Sequence, residues 1–232
     1  MKILGLIPAR GGSKGIKDKN IIDICGKPLI AYSIKQGLLL KEKGFIDRII
    51  VSTDNEKIAE VARQEGAEVP FLRPDEISGD KAKSIEFILH ALDFYREEGI
   101  EYDAVLLLQP TSPLRDIGVL EDAIKRFKLH SEPSLISVYK EEYINDLVMY
   151  KNKNNEQRLE PLNSLHNEGM RRQDHGSVYV RNGAVYLTRS SYLIEERKII
   201  SDYPLMLEMQ KSQSINIDTM EDVALLRNIL CK

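Results

Sequence analysis

Near the N-terminus, residues 3–15 read ILGLIPARGGSKG, an apolar run followed at once by a glycine-rich, basic loop. A short continuous apolar run is typical of a parallel strand that is buried on both faces. The glycines that follow expose backbone N–H groups, which can surround phosphate oxygens at the end of a strand. The stretch therefore predicts a buried first strand that leads into an anion-binding loop.

The loop differs from the common nucleotide-binding motifs, because its glycine, lysine and hydroxyl spacing fits neither a Walker A loop nor GxGxxG. Its cations Arg10, Lys14 and Lys19 are suited to offset the charge that develops in phosphoryl or nucleotidyl transfer. The alternative interpretation is a solvated basic turn after the first strand. The concentration of glycines and cations at a strand end favours phosphate binding, since ligands of open α/β sheets bind beyond the carboxyl ends of the strands.

Strand-length apolar runs alternate with helix-period segments through the first 140 residues or so. The predicted strands are Ile3–Ile7, Arg48–Val51, Val69–Leu72, Ala104–Leu108 and Leu135–Val138. Either Asp54 or Asn55 can cap the helix after the second strand, and another helix is expected from about Ile117 to Leu129. This alternation predicts an α/β fold with a parallel sheet and right-handed crossovers.

The alternation breaks from about Tyr139 to Tyr179, where the strands are weak and a polar stretch covers residues 151–156. We expect a single domain over residues 1–232 with an insertion at about 139–179, because this segment is too irregular for a second full domain. Strand character returns at Gly183–Leu187 and at Met206–Ile217, and a closing helix is expected over Val223–Leu230.

The composition of the chain argues against nucleic-acid binding and membrane association. The 232 residues include 33 basic and 36 acidic side chains, a net charge of −3 that gives no general attraction for nucleic acid. No run approaches the roughly 20 apolar residues that cross a bilayer, so we expect no membrane association and a cytoplasmic location.

Cys25 and Cys231 have neither metal-binding nor redox-motif spacing. Reduced thiols are the simplest interpretation, and a single disulfide is left open.

Residues Pro8 to Asn20 resemble the signature loop of the acylneuraminate cytidylyltransferases, the CMP-sialic acid synthetases. Further matching stretches follow in the family's order over nearly the whole chain: Val51–Asp54, Leu72–Pro74, Leu108–Arg115, Asn182–Tyr186 and Ile217–Thr219. The resemblance implies a Rossmann-like, mostly parallel sheet flanked by helices, of the nucleotide-diphosphosugar transferase type. It also implies that the insertion serves dimerisation, so that the protein is expected to be a homodimer.

The resemblance further implies which residues contact CTP. The first loop is expected to contact the triphosphate and ribose through Ala9, Arg10, Gly11, Gly12, Ser13, Lys14, Lys19 and Asn20. Arg73, with Ala82 and Ser84, is expected to read the cytosine. From the residues alone, a surface salt bridge of Arg73 with Asp75 or Glu76 is an equally good interpretation.

On the acceptor side, the resemblance implies that Gln109 contacts the sugar, with Arg172, Gln173 and Tyr186 beside it. An arginine suits a sugar acid because its guanidinium can pair bidentately with a carboxylate. For the stretch from Gln109 to Arg115, the alternative is a rigid turn that only caps the strand.

Asp218 is the best candidate ligand for Mg²⁺, which prefers one or two carboxylates together with phosphate oxygens and water. Without the resemblance, capping of the helix that starts near Met220 is the better interpretation of Asp218. The family commonly has a second aspartate where this chain has Asn216, which is expected to ligate Mg²⁺ through its amide oxygen but without a charge. It often has an arginine where this chain has Val180. Both departures concern the metal and the acceptor, whereas the CTP side matches well.

The reaction that the resemblance implies is direct attack of the anomeric hydroxyl of a nine-carbon 2-keto sugar acid on the α-phosphorus of CTP, with release of pyrophosphate. The expected acceptor is an N-acylneuraminate or a related nonulosonic acid such as legionaminic acid. Arg10, Lys14, Lys19 and Asp218 are the expected catalytic residues, and Lys14→Ala is expected to reduce turnover severely with the fold intact. Two alternatives stay open. One is transfer to a different acceptor, such as pseudaminic acid, an eight-carbon keto acid or a sugar phosphate; the other is a CTP-binding regulatory protein without activity.

Overall fold

The computed structural model describes residues 1–13, 15–142, 144, 146–152, 158–168 and 177–231. Its strands are β1 (Ile3–Pro8), β2 (Asp23–Ile24), β3 (Lys27–Pro28), β4 (Arg48–Ser52), β5 (Ala104–Leu107), β6 (Ser134–Glu141), β7 (Tyr150–Asn152), β8 (Leu159–Pro161), β9 (Val178–Arg189) and β10 (Leu205–Glu208). Its α-helices are α1 (Leu29–Glu42), α2 (Glu56–Gln64), α3 (Ser84–Glu97), α4 (Ile117–Leu129), α5 (Ser190–Glu196) and α6 (Met220–Leu230). None of the helices in these ranges is long and apolar enough to span a membrane.

A six-stranded sheet in the order β10-β6-β9-β5-β1-β4 forms the centre of the fold. β1 is parallel to both of its neighbours, β4 and β5, and β10 is parallel to β6. Only β9 among these six strands runs antiparallel, against both β5 and β6. The expected mostly parallel α/β sheet is therefore confirmed.

Helices cover both faces of the sheet, as the unbroken apolar sequence of β1 requires. Ile3 and Ile7 of β1 lie in a core shared with α1, α2 and α4. The intervening Leu4 and Leu6 point to the opposite face, where they pack with α3 and α5. Because neither face of β1 is open to water, the ligand-binding edge can lie only beyond the end of the strand.

Three predicted segments differ from the structure. Val69–Leu72 forms no strand; the chain there makes isolated bridges, Ile50 with Glu68 and Thr53 with Leu72. Pro70 has no N–H to donate to a ladder, which explains why regular pairing stops. The strand predicted at Gly183–Leu187 is only the middle of the longer β9. Strand structure near Met206 ends at Glu208, and the chain then forms a 3₁₀ turn at Lys211–Gln213.

The predicted insertion begins where β6 and β9 continue together. Tyr139 pairs with Val180 and Glu141 with Val178, and a separate ribbon of β7 and β8 follows. That this segment is a distinct subdomain stays a prediction. Part of the polar stretch at 151–156 lies outside the described residues.

The C-terminal helix α6 closes the fold over a third apolar cluster. Val223 and Leu226 pack there with Ile16 and Ile24 from the segment that follows β1. Cys25 and Cys231 form a disulfide at the end of this helix, with their Cα atoms 5.4 Å apart. Of the two alternatives left open by the sequence, the structure therefore has the bonded pair.

Tyr102, at the entry to β5, makes the fold sensitive to alkaline pH. Its ring is 8% exposed and lies 5.4 Å from the Tyr95 ring, and burial raises its pKa to about 12. The unfolded chain ionises this phenol at about pH 10, so the folded state binds more protons between these two values. Stability linked to Tyr102 is thus complete below about pH 10 and is lost as the pH rises towards 12.

We expect that Tyr102→Phe removes this part of the alkaline loss. Urea unfolding at about pH 8 and about pH 11 measures it, and the free energy of unfolding of the wild type should fall by about 1 kcal/mol more than that of the variant. Equal losses in the two proteins would show that the Tyr102 phenol does not contribute.

Candidate functional site

A two-lobed cleft lies at the edge where the carboxyl ends of β1, β4 and β5 meet. The larger lobe, about 420 Å³, is lined by Pro8, Arg10, Ser13, Gly15, Lys19, Asn20, Gln109, Pro110, Thr111 and Asp218. The smaller lobe, about 250 Å³, is lined by Pro8, Arg10, Arg73, Ile77, Ser78, Gly79, Asp80, Ala82, Ser84, Phe87 and Gln109. Because Pro8, Arg10 and Gln109 belong to both lobes, the two form one continuous site.

The loop after β1 is held by bonds from its neighbours. Ala9 donates its N–H to the Ser52 carbonyl at 3.0 Å, and the Gly11 N–H donates to Asp54 Oδ1 at 2.8 Å. Asn20 Nδ2 donates to the Arg10 carbonyl at 3.0 Å, which ties the far end of the loop to its start. These bonds leave the side chains of Arg10 and Ser13 at the cleft.

Not every residue expected in this loop lines the cleft. Ala9 is fully buried, and Gly11 and Gly12 are absent from the linings of both lobes in the described part of the chain. Lys14 lies outside the described residues. The sequence indicated Asp54 as a possible helix cap and as part of a matching stretch, but the structure has Asn55 as the cap. Asp54 instead fixes Gly11, through a contact between two strand ends that are distant in sequence.

Lys19 and Asp218 form an ion pair on the floor of the larger lobe. Lys19 Nζ lies 2.9 Å from Asp218 Oδ1 and donates to the Ile217 carbonyl at 3.0 Å. Asn216 Nδ2 donates to the other carboxylate oxygen of Asp218. The structure therefore joins three of the sequence-predicted residues, although nearly 200 positions separate Lys19 from the other two.

Asp218 does not cap the helix that follows it. Thr219 is the N-cap of α6, and its hydroxyl accepts from the Asp222 N–H in a reciprocal capping box. Hydrogen bonds from the backbone N–H groups of Asp218 and Thr219 lower the pKa of Asp222. The capping interpretation of Asp218 is therefore wrong, and its carboxylate, with a side chain 62% exposed, faces the cleft.

Arg73 forms the inner wall of the smaller lobe and is 5% exposed. Its Nη2 donates to the Ser52 carbonyl at 2.6 Å, and its Nε donates to the Ser52 hydroxyl at 3.1 Å. The guanidinium lies 4.5 Å from the centre of the Phe87 ring. Burial lowers the pKa of Arg73 to about 10. The alternative of a surface salt bridge with Asp75 or Glu76 is wrong, because the side chain turns towards the sheet.

An ion pair joins the walls of the smaller lobe. Arg10 Nη1 lies 2.9 Å from Asp80 Oδ1, across the mouth of the lobe. Ala82 and Ser84, both expected from the sequence, line the wall next to Asp80. Asp80 itself was missed, because a carboxylate in a polar loop gives no sequence signal until its partner is known.

Gln109, at the junction of the lobes, is held by a buried arginine. Arg115 Nη1 donates to the carbonyls of Gln109 at 2.9 Å and Ala184 at 3.0 Å. Its Nε donates to Gln36 Oε1 at 2.9 Å, and its Nη2 donates to the Ser33 hydroxyl. Burial lowers the pKa of Arg115 to about 9. The stretch after β5 is therefore a rigid turn, as the alternative interpretation held, and it also presents Gln109 to the cleft.

The other residues expected on the acceptor side are only partly placed. Tyr186 is paired with Leu107 near the end of β5, and its half-buried ring packs on the α3 and α5 face. It lines neither lobe, and the guanidinium of Arg181 lies 6.0 Å from its ring. Arg172 and Gln173 lie outside the described residues.

The donor set near Asp218 fits a divalent cation that is shared with a triphosphate. Within the described ranges, no group of three or more histidine, cysteine or acidic side chains could hold a metal ion by itself. The Asp218 carboxylate and the Asn216 amide oxygen supply few ligands, and Mg²⁺ is commonly held by one or two carboxylates with substrate phosphates and water. A metal site that is completed by a bound nucleotide is consistent with these residues.

Gly15 lies against the backbone of Asp218, and we expect Gly15→Ala to disturb the larger lobe. A Cβ at this position would lie 2.6 Å from the Asp218 carbonyl oxygen, whereas a Cβ at Gly12 would meet nothing within 4 Å. Overlap with a backbone atom requires the backbone to shift, so the free energy of unfolding should fall by about 1–3 kcal/mol. Gly12→Ala is the matched control and should leave the melting temperature unchanged. Equal melting temperatures for the two variants would contradict this packing.

Comparisons with known proteins agree with the fold and identify the family. A family model described as Cytidylyltransferase matches residues 4–229. The pseudaminic acid cytidylyltransferase of Campylobacter jejuni is 36% identical over 96% of this chain and 94% of its own length. The CMP-N,N'-diacetyllegionaminic acid synthase of Legionella pneumophila is 34% identical over 99% and 97%. The N-acylneuraminate cytidylyltransferase of Escherichia coli is 32% identical over 97% of this chain and 51% of its own length.

Among solved structures, a CMP:2-keto-3-deoxy-manno-octonic acid synthetase in complex with CTP has the same fold. Its TM-score is 0.73 at 15% identity, and the match covers 100% of this chain and 99% of that one. The family model spans nearly all of the sequence. The three relatives from Campylobacter jejuni, Legionella pneumophila and Escherichia coli each exceed 30% identity over almost the whole of this chain. The chain therefore belongs to the cytidylyltransferase family.

Proposed function

We propose that the protein transfers CMP from CTP to the anomeric hydroxyl of a nine-carbon 2-keto sugar acid, a nonulosonic acid, and releases pyrophosphate. The observation that supports this most is the continuous two-lobed cleft, whose larger lobe contains Arg10 and Lys19 and whose smaller lobe has Arg73 as its inner wall. The names of the three relatives, each of which activates such an acid, support the acceptor class.

The triphosphate occupies the larger lobe in this proposal. Arg10 and Lys19 supply positive charge there, Ser13 supplies a hydroxyl, and the adjacent Lys14 adds a further cation. Fixed cations and donors stabilise the charge that develops during nucleotidyl transfer because they need no reorganisation in the transition state. Arg10 is central, since it lies at the junction where the α-phosphate would connect the nucleoside to the rest of the triphosphate.

The cytosine occupies the smaller lobe. Arg73 uses Nε and Nη2 on Ser52, so Nη1 is oriented by these bonds and can donate to the carbonyl oxygen of a pyrimidine. Ala82, Ser84 and the backbone of their loop offer further groups to the base edge. The small size of the lobe disfavours a purine.

Asp218 and Asn216 would hold Mg²⁺ together with phosphate oxygens of the nucleotide. The ion, when bound, supplies charge stabilisation for the triphosphate and for the departing pyrophosphate. Lys19 supports this arrangement by holding one oxygen of Asp218, and Asn216 orients the other.

The acceptor lies on the side of Gln109, which the Arg115 bonds hold in place. Its anomeric oxygen forms a bond to the α-phosphorus as the bond to pyrophosphate breaks, and its proton passes to Asp218 directly or through water. Arg172, Gln173 and Tyr186 are the proposed contacts of the sugar, with Arg172 paired to its carboxylate.

A competition experiment identifies the acceptor. The protein is incubated with CTP, Mg²⁺ and four acceptors in equal amounts. Three are nine-carbon acids, namely N-acetylneuraminic, N,N'-diacetyllegionaminic and pseudaminic acid, and the fourth is an eight-carbon keto acid. The CMP-sugars formed are separated by chromatography. We expect one nine-carbon product to predominate, and pseudaminic acid is the leading candidate by the 36% identity to its cytidylyltransferase. Formation of the eight-carbon product alone would contradict the proposed acceptor.

We also propose that the protein is a cytoplasmic homodimer, with contacts made by the insertion. Exposed apolar side chains of this segment support the proposal: Ile144, Val148, Met149, Leu159, Leu162 and Leu165. Light scattering coupled to size-exclusion chromatography gives the mass directly. A mass near twice 26.5 kDa supports the dimer, and a monomer mass at micromolar concentration contradicts it.

A further inference from the structure

We propose that Cys25 and Cys231 form a redox-modification site, a thiol pair whose reversible oxidation ties the C-terminal helix to the segment after the β1 loop. The chain contains two cysteines in 232 residues. The fold brings them together across a sequence separation of 206 residues and joins them as a disulfide. Their Cα distance of 5.4 Å lies in the range in which a bond forms without backbone movement.

The pair connects two elements that follow residues of the larger lobe in the sequence. Cys25 stands in the turn between β2 and β3, a few residues after Lys19, and Cys231 follows the last residue of α6. The first turn of α6 follows directly after Asp218, which pairs with Lys19 at 2.9 Å. The two segments are thus joined at one end by the Lys19–Asp218 ion pair of the site and at the other end by the disulfide.

The same two elements are also held by bonds that do not depend on the disulfide. Arg227 Nη2 donates to the Asp23 carbonyl at 2.6 Å, and Val223 and Leu226 pack on Ile24. Reduction should therefore leave α6 docked with both thiols close together, ready to be oxidised again. The pair acts as a reversible tether and is not required for folding.

Both cysteines are accessible to a small disulfide reagent, because Cys231 is exposed and Cys25 is partly exposed. The thiolate of Cys231 attacks oxidised glutathione, which forms a mixed disulfide and releases one glutathione thiol. The thiolate of Cys25 then attacks the Cys231 sulfur and releases the second. The two cysteine sulfurs are oxidised, the small-molecule disulfide is reduced to two thiols, and the two protons pass to them.

The expected consequence is a change in heat resistance at constant turnover. A bond that closes so long a loop restricts the unfolded chain strongly. Asp218 and the disulfide lie at opposite ends of α6. This helix spans 11 residues, or about 16 Å from end to end. The tether should therefore affect how firmly α6 stays docked, with little effect on the position of Asp218.

The test equilibrates the full chain with oxidised glutathione or with dithiothreitol and counts free thiols by alkylation and mass spectrometry. We expect no free thiol and a monomeric chain on a non-reducing denaturing gel after oxidation, two free thiols after reduction, and a melting temperature about 5–10 °C higher in the oxidised form. Cys231→Ser is the matched control, because its melting temperature should equal that of the reduced wild type in both buffers.

Three results would overturn the proposal: two free thiols after oxidation, a disulfide between two chains, or equal melting temperatures of the two forms. Thiol counts and melting temperatures need neither CTP nor an acceptor. A failure of the proposed enzymatic function would therefore leave these readouts intact, and the two failures are distinguishable.

Discussion

Replacing Lys19 with alanine is expected to lower kcat/KM for CTP by roughly 100- to 1,000-fold, the usual cost of removing one fixed charge-stabilising donor from an active site. Lys19 lines the larger lobe, and it also holds one carboxylate oxygen of Asp218. The substitution therefore removes a positive charge and a restraint on the candidate metal ligand. Steady-state pyrophosphate release at varied CTP concentration measures the loss.

Lys17→Ala is the matched control for this prediction. Lys17 belongs to the same loop, but its side chain is exposed and does not line either lobe. The control should keep near-normal kcat/KM, and both variants should keep the wild-type circular dichroism spectrum. If the two alanine variants lost activity equally, general loss of positive charge would explain the effect and the specific role of Lys19 would be wrong.

Replacing Arg115 with alanine is expected to lower the free energy of unfolding by roughly 3–5 kcal/mol, because four hydrogen bonds from a charged donor to uncharged groups are lost. Arg115 donates to groups from three separate elements, and it is 4% exposed. Without the guanidinium, the Ala184 carbonyl loses a buried donor, at a cost of about 1–3 kcal/mol, whereas the Gln109 carbonyl keeps the Ser112 N–H at 3.2 Å. Urea denaturation followed by circular dichroism measures the change.

Arg126→Ala provides the comparison. Arg126 is an exposed arginine on α4, 3.8 Å from Asp122, and an exposed pair of this kind contributes at most about 1 kcal/mol. A loss for Arg115→Ala no larger than for Arg126→Ala would contradict the structural role of the buried arginine. Since Arg115 holds Gln109, the variant should also show a higher KM for the acceptor in the temperature range where it stays folded.

Much of the fold could be predicted because its signals are local. Three features depend only on neighbouring residues: the apolar run of β1, the Asn55 cap and helix α4 at Ile117–Leu129. In the cap, Asn55 Oδ1 accepts from the Ile58 N–H at 3.2 Å. The position of β9 could not be predicted in this way. Its place between β5 and β6 depends on pairing with distant segments, and its apolar pattern is the same for parallel and antiparallel neighbours.

The site shows the same division between local and distant information. The glycine-rich loop indicated an anion site, and the structure places Arg10, Ser13, Lys19 and Asn20 at the cleft. The contacts of Arg73 with Ser52, Arg10 with Asp80, and Cys25 with Cys231 join segments that are remote in sequence. No spacing rule gives such pairs, so the sequence left an alternative open for Arg73 and for the cysteines and gave no signal for Asp80.

The most direct test is pyrophosphate release from the purified protein with CTP, Mg²⁺ and a panel of keto sugar acids, with ATP, GTP and UTP as nucleotide controls. The proposed function predicts release that requires both CTP and a nine-carbon acid, and little release with the other nucleotides. No release with any acid, in a protein that measurably binds CTP, would contradict the transferase and favour a CTP-binding regulatory protein.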